Sequence, residues 1–329
     1  MPRPWTCCPA PAPERGRIAA NTGGALWRRW RLSGGREDLD EPISLLRCTG
    51  HQEECVQHDG ADVRTLRVAM ADEATGLHVT AVYSLRDDIP VLRAEAHVEN
   101  RGDHPFTLEY VSSSALSNLA SHLPDGASWE DGLSLWLAAN PWSGEFRWTR
   151  TTLAERGLYD VGRVAYGQNG SKYRIAVTST GSWSSSEYLP MGCLEEPVTG
   201  RALLWQIEHN GSWHAELADR FGDVYLALSG PTDREHQWRR RLGPGQAFCT
   251  VPAAIAVVPE RGFEAALAAL TDHRRATRRA HPDHDRLPHC LQCLHQQPDG
   301  RAQHRGTAAT GRSGGGRRRG VLLHRRRLV

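Results

Sequence analysis

The sequence predicts a mainly β protein: an antiparallel sandwich, one helix towards the C-terminal end, and a tail without a stable fold. Three observations carry this. From about residue 60 onward, short runs rich in β-branched and aromatic residues alternate with turn signals. Only one stretch, residues 261–280, repeats its apolar residues at helical spacing. After residue 288 the hydrophobic period stops, and Arg and Gly take over.

Residues 1–36 show no clear period, are rich in Pro, Arg and Gly, and stay unassigned. "LHVTAVYSL" (77–85), "VLRAEAHVEN" (91–100) and "FTLEYVSSSAL" (106–116) each read as a strand, separated by the turns "RDDIP" and "NRGDHP". In the second of them Arg93, Glu95 and His97 share one face, because side chains alternate along a strand. "ALLWQIEHNGSWHAEL" holds Asn210-Gly211 between apolar flanks, a pair favoured where both turn residues need positive φ, and this predicts a hairpin. "DVYLALSG" and "AFCTVPAAIAVVP" follow as strands, with "LGPGQ" as a turn before the second. "RGFEAALAALTDHRRATRRA" is the helix: Phe263, Leu267 and Leu270 recur at its period, and its basic residues gather at the end that the helix dipole favours. "HPDHDRLP" breaks it, and no repeat of fixed period is present.

With 329 residues, 39% hydrophobic, 24% charged and eleven Trp, the chain suits one large or two ordinary globular domains. The net charge of +2 hides an asymmetry: residues 289–329 hold nine Arg and one acid, Asp299. The remainder has 31 basic and 37 acidic residues. An acidic body argues against nucleic-acid binding. The N-terminal stretch has no apolar run long enough for a signal peptide, and nothing approaches a membrane span. The eight Cys are scattered, so they read as reduced thiols of a cytoplasmic protein. Lys172 is the single lysine among 40 basic residues, a bias that a GC-rich coding sequence produces.

Few residues offer chemistry. "GSWSSSEYLPMG" (181–192) lacks the G-x-S-x-G elbow of a serine nucleophile and reads as a polar loop. Trp183, Trp205 and Trp213 are the candidate substrate contacts: an indole can stack on a sugar, although core packing is the favoured reading for Trp205 and Trp213. Glu208 and Glu216 resemble a glycosidase carboxylate pair in composition, but two carboxylates on one hairpin are more often surface groups. In the tail, Cys290 and Cys293 with His289 and His295 make half of a zinc site, and no second half follows. The run "GGGRRRG" could hold phosphates as a flexible arm. No metal and no cofactor is expected.

The strand region resembles a family. "DEATGLHVTAVYSLRDDIPVLRAEAHVENRG" looks like the amino-terminal domain of glycoside hydrolase family 36 alpha-galactosidases. The likeness continues through "PWSGEFRWTRTTLAERGL", "GRALLWQIEHNGSW" and "VYLALSGPTDREHQWRRRLGPGQAF" to "HPDHDRLP", covering about residues 60–288. The resemblance implies an antiparallel β-supersandwich at 37–260. A helix and linker at 261–288 would lead to a (β/α)8 barrel that carries catalysis. It also implies retaining hydrolysis of terminal alpha-galactosides by a carboxylate pair on that barrel. No catalytic residue is carried over to any position here.

In the family, the segment after "LP" resembles "VVFNDYMN-LMGDPT" and later "AEYFCIDAGWY". This chain has "HCLQCLHQQPDG" and "VLLHRRRLV" there instead. Synonymous codons for "VLLHRRRLV", read one nucleotide later, give "YFCIDAGW", and the same shift turns "CLQCLHQQPDG" into "VFNAYINSLMG". The expectation is a frame change near Pro288, an inactive amino-terminal domain, and an out-of-frame tail at 289–329. A sandwich face left without its barrel should drive self-association or aggregation. The alternative expectation is a stand-alone carbohydrate-binding or interaction module.

Overall fold

The computed structural model describes residues 46–124, 127–161, 170–282, 290–292 and 321–323. The chain divides into two units, Met1–Arg274 and Arg275–Val329. In the first, a hairpin of β1 (Arg47–His58) and β2 (Ala61–Asp72) leads into β3 (Leu77–Arg86) and β4 (Val91–Asn100). Short strands β5 (Phe106–Leu108) and β6 (Ser112–Leu116) and a one-turn helix α1 (Trp129–Gly132) follow. Next come β7 (Ser134–Ala139), β8 (Arg147–Thr152), β9 (Arg174–Ser179), β10 (Tyr188–Glu196) and β11 (Arg201–Ile207). The last group is β12 (Trp213–Arg220), β13 (Asp223–Ser229), α2 (Asp233–His236), β14 (Arg240–Leu242), β15 (Ala247–Cys249) and β16 (Ala253–Val258). Helix α3 (Gly262–Thr277) begins in the first unit and ends in the second.

A large sheet runs β1-β2-β3-β4-β16-β11-β10-β7-β8, with β15 beside β4, and a four-stranded sheet runs β6-β13-β12-β9. Every pairing in both is antiparallel. The expected mainly β, antiparallel sandwich with one long C-terminal helix is therefore what forms. One core cluster joins Leu135, Leu137, Leu194, Trp205, Ile207 and Ile255 of the large sheet to Trp213, Leu217, Leu226 and Leu228 of the smaller one. Each such side chain contributes about 1.5–3 kcal/mol on burial. A second cluster packs Leu77, Val79 and Val98 against Phe106, Leu108 and Leu242 where β5 pairs with β14.

Three expectations change. The Asn210-Gly211 turn joins no hairpin: β11 pairs with β10 and β16, whereas β12 pairs with β9 and β13 in the other sheet. Trp213 to Asp219 are all buried, so β12 needs a neighbour on each edge and cover on both faces, which a two-stranded ribbon cannot supply. The two-residue hairpins lie elsewhere. Asp59 (φ 47°) and Gly60 (φ 78°) join β1 to β2, and Phe221 (φ 54°) and Gly222 (φ 80°) join β12 to β13, each with the two positive φ values of a type I′ turn. Second, "FTLEYVSSSAL" is two strands in different sheets, β5 and β6, and "AFCTVPAAIAVVP" is likewise two, β15 and β16, both paired with β4. Third, β1 was not foreseen; it is exposed at every position and so carries no alternating pattern to read.

Helix α3 is fixed at both ends. The Phe263 N–H donates to Glu195 Oε1 (3.1 Å), placing a carboxylate at the helix N-terminus, where the dipole favours it. Trp136 Nε1 donates to the other oxygen of Glu195 (2.7 Å), and the Trp136 ring stacks on Phe263 at 4.7 Å. Near the other end His273 lies 3.2 Å from Glu208 Oε1. Phe263, Ala266, Leu270 and His273 form the buried stripe, and Leu267 is only half-buried. In the second unit, Cys290–Gln292 (β17) and Val321–Leu323 (β18) pair in parallel. The rest of 289–329, for which no stable fold was expected, lies outside the described residues, as does 1–36.

Candidate functional site

The candidate tryptophans separate into two kinds. Trp205 and Trp213 are 3% and 1% exposed and form the middle of the inter-sheet core. Trp213 Nε1 donates to the Ser184 carbonyl (2.6 Å), so its one polar atom is satisfied by the loop that carries Trp183. Trp183 is 52% exposed and meets Trp142, itself 79% exposed, edge to face with centroids 5.7 Å apart.

The two glutamates of the "WQIEHNGSWHAE" stretch end up in separate ion-pair networks. Glu208 follows β11 and accepts from Arg93 Nε (2.9 Å) and faces His273. Arg93 also reaches Glu95 (3.3 Å), and Glu95 reaches His97 (3.0 Å), so the shared face read from the sequence is an ion-pair ladder. Burial pushes the Glu208 carboxyl up, but hydrogen bonds from His273 and Arg93 outweigh it and hold the group below the ordinary glutamate range. Glu216 lies in the smaller sheet and accepts from Arg174 (2.6 Å) and Tyr225 Oη (2.6 Å). Arg174 also binds Glu235, and that bond holds Glu235 low against the opposing effect of burial. Glu208 and Glu216 thus bind different guanidinium groups, Arg93 and Arg174. Neither Glu208 nor Glu235 is tuned to remain protonated, which a general acid requires.

Against β10, β11 and β16 of the large sheet lies a cavity of about 180 Å³, lined mainly by apolar side chains including Leu119, Leu133, Leu194 and Leu203. Its buried carboxylate, Glu196, accepts from Thr199 Oγ1 (2.6 Å) and lies 3.3 Å from His122 Nε2. Among the described residues no group of three or more His, Cys, Asp or Glu is placed to hold a metal ion. The Cys290–Cys293 candidate lies outside the residues whose side chains are described. Of 181–192, read as one polar loop, only 181–187 is loop; Tyr188 to Gly192 begin β10, paired on both sides by β7 and β11. Asn140 and Trp142 carried no reading from the sequence. The signal for them was "NPWSG", an indole beside a turn.

Similarity to known proteins follows the fold. Residues 20–124 match the glycosyl hydrolase family 36 N-terminal domain. The family 36 alpha-galactosidase AgaA from Geobacillus stearothermophilus is similar over 76% of this chain and 33% of its own, with 18% identity and a TM-score of 0.61. The alpha-galactosidase from Lactobacillus brevis matches over 76% of this chain and 32% of its own, at 18% identity and a TM-score of 0.59. AgaB from G. stearothermophilus matches over 77% and 33%, at 16% identity and 0.61. The chain spans about a third of the length of these alpha-galactosidase structures. No curated protein matches it. The described residues contain no (β/α)8 barrel. No described helix is long and apolar enough to cross a membrane.

Proposed function

We propose that this chain is the non-catalytic amino-terminal domain of a family 36 alpha-galactosidase, with its reading frame altered near Pro288, and that it is inactive by itself. The observation that carries the reading is the shared sandwich over three quarters of the chain, together with the family match at residues 20–124. The ion-pairing of Glu208 and Glu216 adds to it, since neither is left for hydrolysis. In the full enzyme the reaction would be retaining hydrolysis of a terminal alpha-galactoside, with two barrel carboxylates about 5–5.5 Å apart. The domain's part would be to support that barrel. The reading carries a cytoplasmic location, consistent with the free thiols of Cys48, Cys55, Cys193 and Cys249. It also carries self-association of the chain in the absence of a barrel.

The test has two arms. The purified 329-residue chain is assayed with a chromogenic alpha-galactoside, and no turnover is expected. The gene is resequenced around codon 288, and a product with the frame restored is assayed in the same way. Turnover by the 329-residue chain, or a gene in which no single-nucleotide change restores the barrel, would overturn the reading.

A further inference from the structure

The geometry points to a carbohydrate-binding corner formed by Trp142 and Trp183, which takes one pyranoside ring of an oligosaccharide outside any catalytic site. Two indoles this exposed are normally paired off or covered, because each presents a large apolar area to water. Here they meet at 89°, so one ring face forms a floor and the second ring forms a wall. A flat protein partner fits such a corner poorly. A hexose fits it well: its axial C–H bonds lie on an aromatic face while its hydroxyls stay in water.

The corner is held in place by buried groups. Asn140, 6% exposed, ties both loops together. Its Nδ2 donates to the Ser185 carbonyl (2.5 Å) and its Oδ1 accepts from the Phe146 N–H (3.1 Å). The Trp183 carbonyl accepts from Ser179 Oγ (3.2 Å) and from the Ser186 N–H (3.2 Å), while Trp213 holds Ser184 from below. On the Trp142 side, Ser143 and Phe146 both have φ of 58°, a costly region for non-glycine residues. Such strain is retained at ligand clamps, where it sets the shape of the site in advance. Preorganisation matters because the ordering of the two loops is not charged to binding.

The proposal rests on the alpha-galactosidase reading only in the choice of raffinose, with which a variant of AgaA has been solved. The full chain is labelled with 5-fluorotryptophan, and the Trp142 and Trp183 signals are assigned with Trp142→Phe and Trp183→Phe. Raffinose, and maltose as a second sugar, are expected to shift these two signals saturably and leave Trp213 unmoved. Trp142→Ala should weaken binding about fivefold to thirtyfold, the usual cost of truncating an anchoring Trp. An unmoved Trp213 signal in that variant shows that the core is intact. Absence of a saturable shift with both sugars overturns the site. So does movement of the two signals on dilution alone, which would mean that a second copy covers them. A raffinose response without hydrolysis by the frame-restored product sinks the enzyme reading and keeps the site; hydrolysis without a response sinks the site alone.

Discussion

Gly192 on β10 lies against Trp205 on the adjacent strand so closely that a methyl carbon added to it would sit 2.4 Å from Cζ2 of the indole. The two residues are direct partners in the ladder, and Leu137 closes the other side at 3.0 Å. Trp205 cannot swing away, because it is fixed in the core between the sheets. Gly192→Ala should therefore cost about 1–3 kcal/mol through overpacking. Gly192→Ala combined with Trp205→Phe should recover part of the loss relative to the sum of the single changes, since the two sites share the contact. Denaturant midpoints measure this, and an unchanged midpoint for Gly192→Ala would rule the contact out.

The turns make a prediction opposite to the one their sequences suggest. Phe221 holds φ of 54° at a hairpin position that Asn fits better, so Phe221→Asn should leave stability unchanged or raise it by up to about 1 kcal/mol. Asn210 is not at positive φ, so Asn210→Ala should cost less than about 0.5 kcal/mol. A large loss at Asn210 together with a loss at Phe221 would contradict the topology of β11, β12 and β13.

Acid stability should depend on Glu208. Its carboxyl titrates below the ordinary value of 4.5 because His273 and Arg93 hold its charged form. The stabilisation is fully present above that ordinary value and is lost as pH falls through the lowered folded value. Glu208→Gln should therefore lower stability at neutral pH and flatten the loss between neutral and acid conditions. Thermal melts of both proteins across that range measure the difference. Parallel melting curves would remove Glu208 from the account.

Thiol labelling should separate the described cysteines. Burial pushes the Cys193 thiol far up, and it is inaccessible, whereas Cys48 and Cys55 lie exposed on β1. A maleimide should modify Cys48 and Cys55 in the folded protein and reach Cys193 only after denaturation. Peptide mass spectrometry identifies the sites, and early modification of Cys193 would mean that β10 opens.

Several strands of the body were legible because one face is buried and the other wet, whereas β7, β8 and β9 were not read from the sequence. Val91–Asn100 alternates in the sequence because Ala94, Ala96 and Val98 face the core while Arg93, Glu95 and His97 face outward. Helix α3 was legible for the same reason at its own period. β1 was not, since a strand exposed on both faces has no pattern to reveal. The distribution of charge marked off 289–329 from composition alone.

What the sequence by itself determined was the class of the fold and the position of its helix. Only the tertiary structure decided which sheet each strand joins, and with it the fate of the candidate residues. Local turn chemistry at Asn210-Gly211 favoured a hairpin, but a hairpin is worth little beside the burial of Trp205 and Trp213 in opposite walls of one core. That burial places β11 and β12 in different sheets and sends Glu208 and Glu216 to separate arginines. It leaves Trp183 outside, beside a second indole more than forty residues away in sequence, because strand order, not local spacing, brings those two loops to the same end of the sandwich.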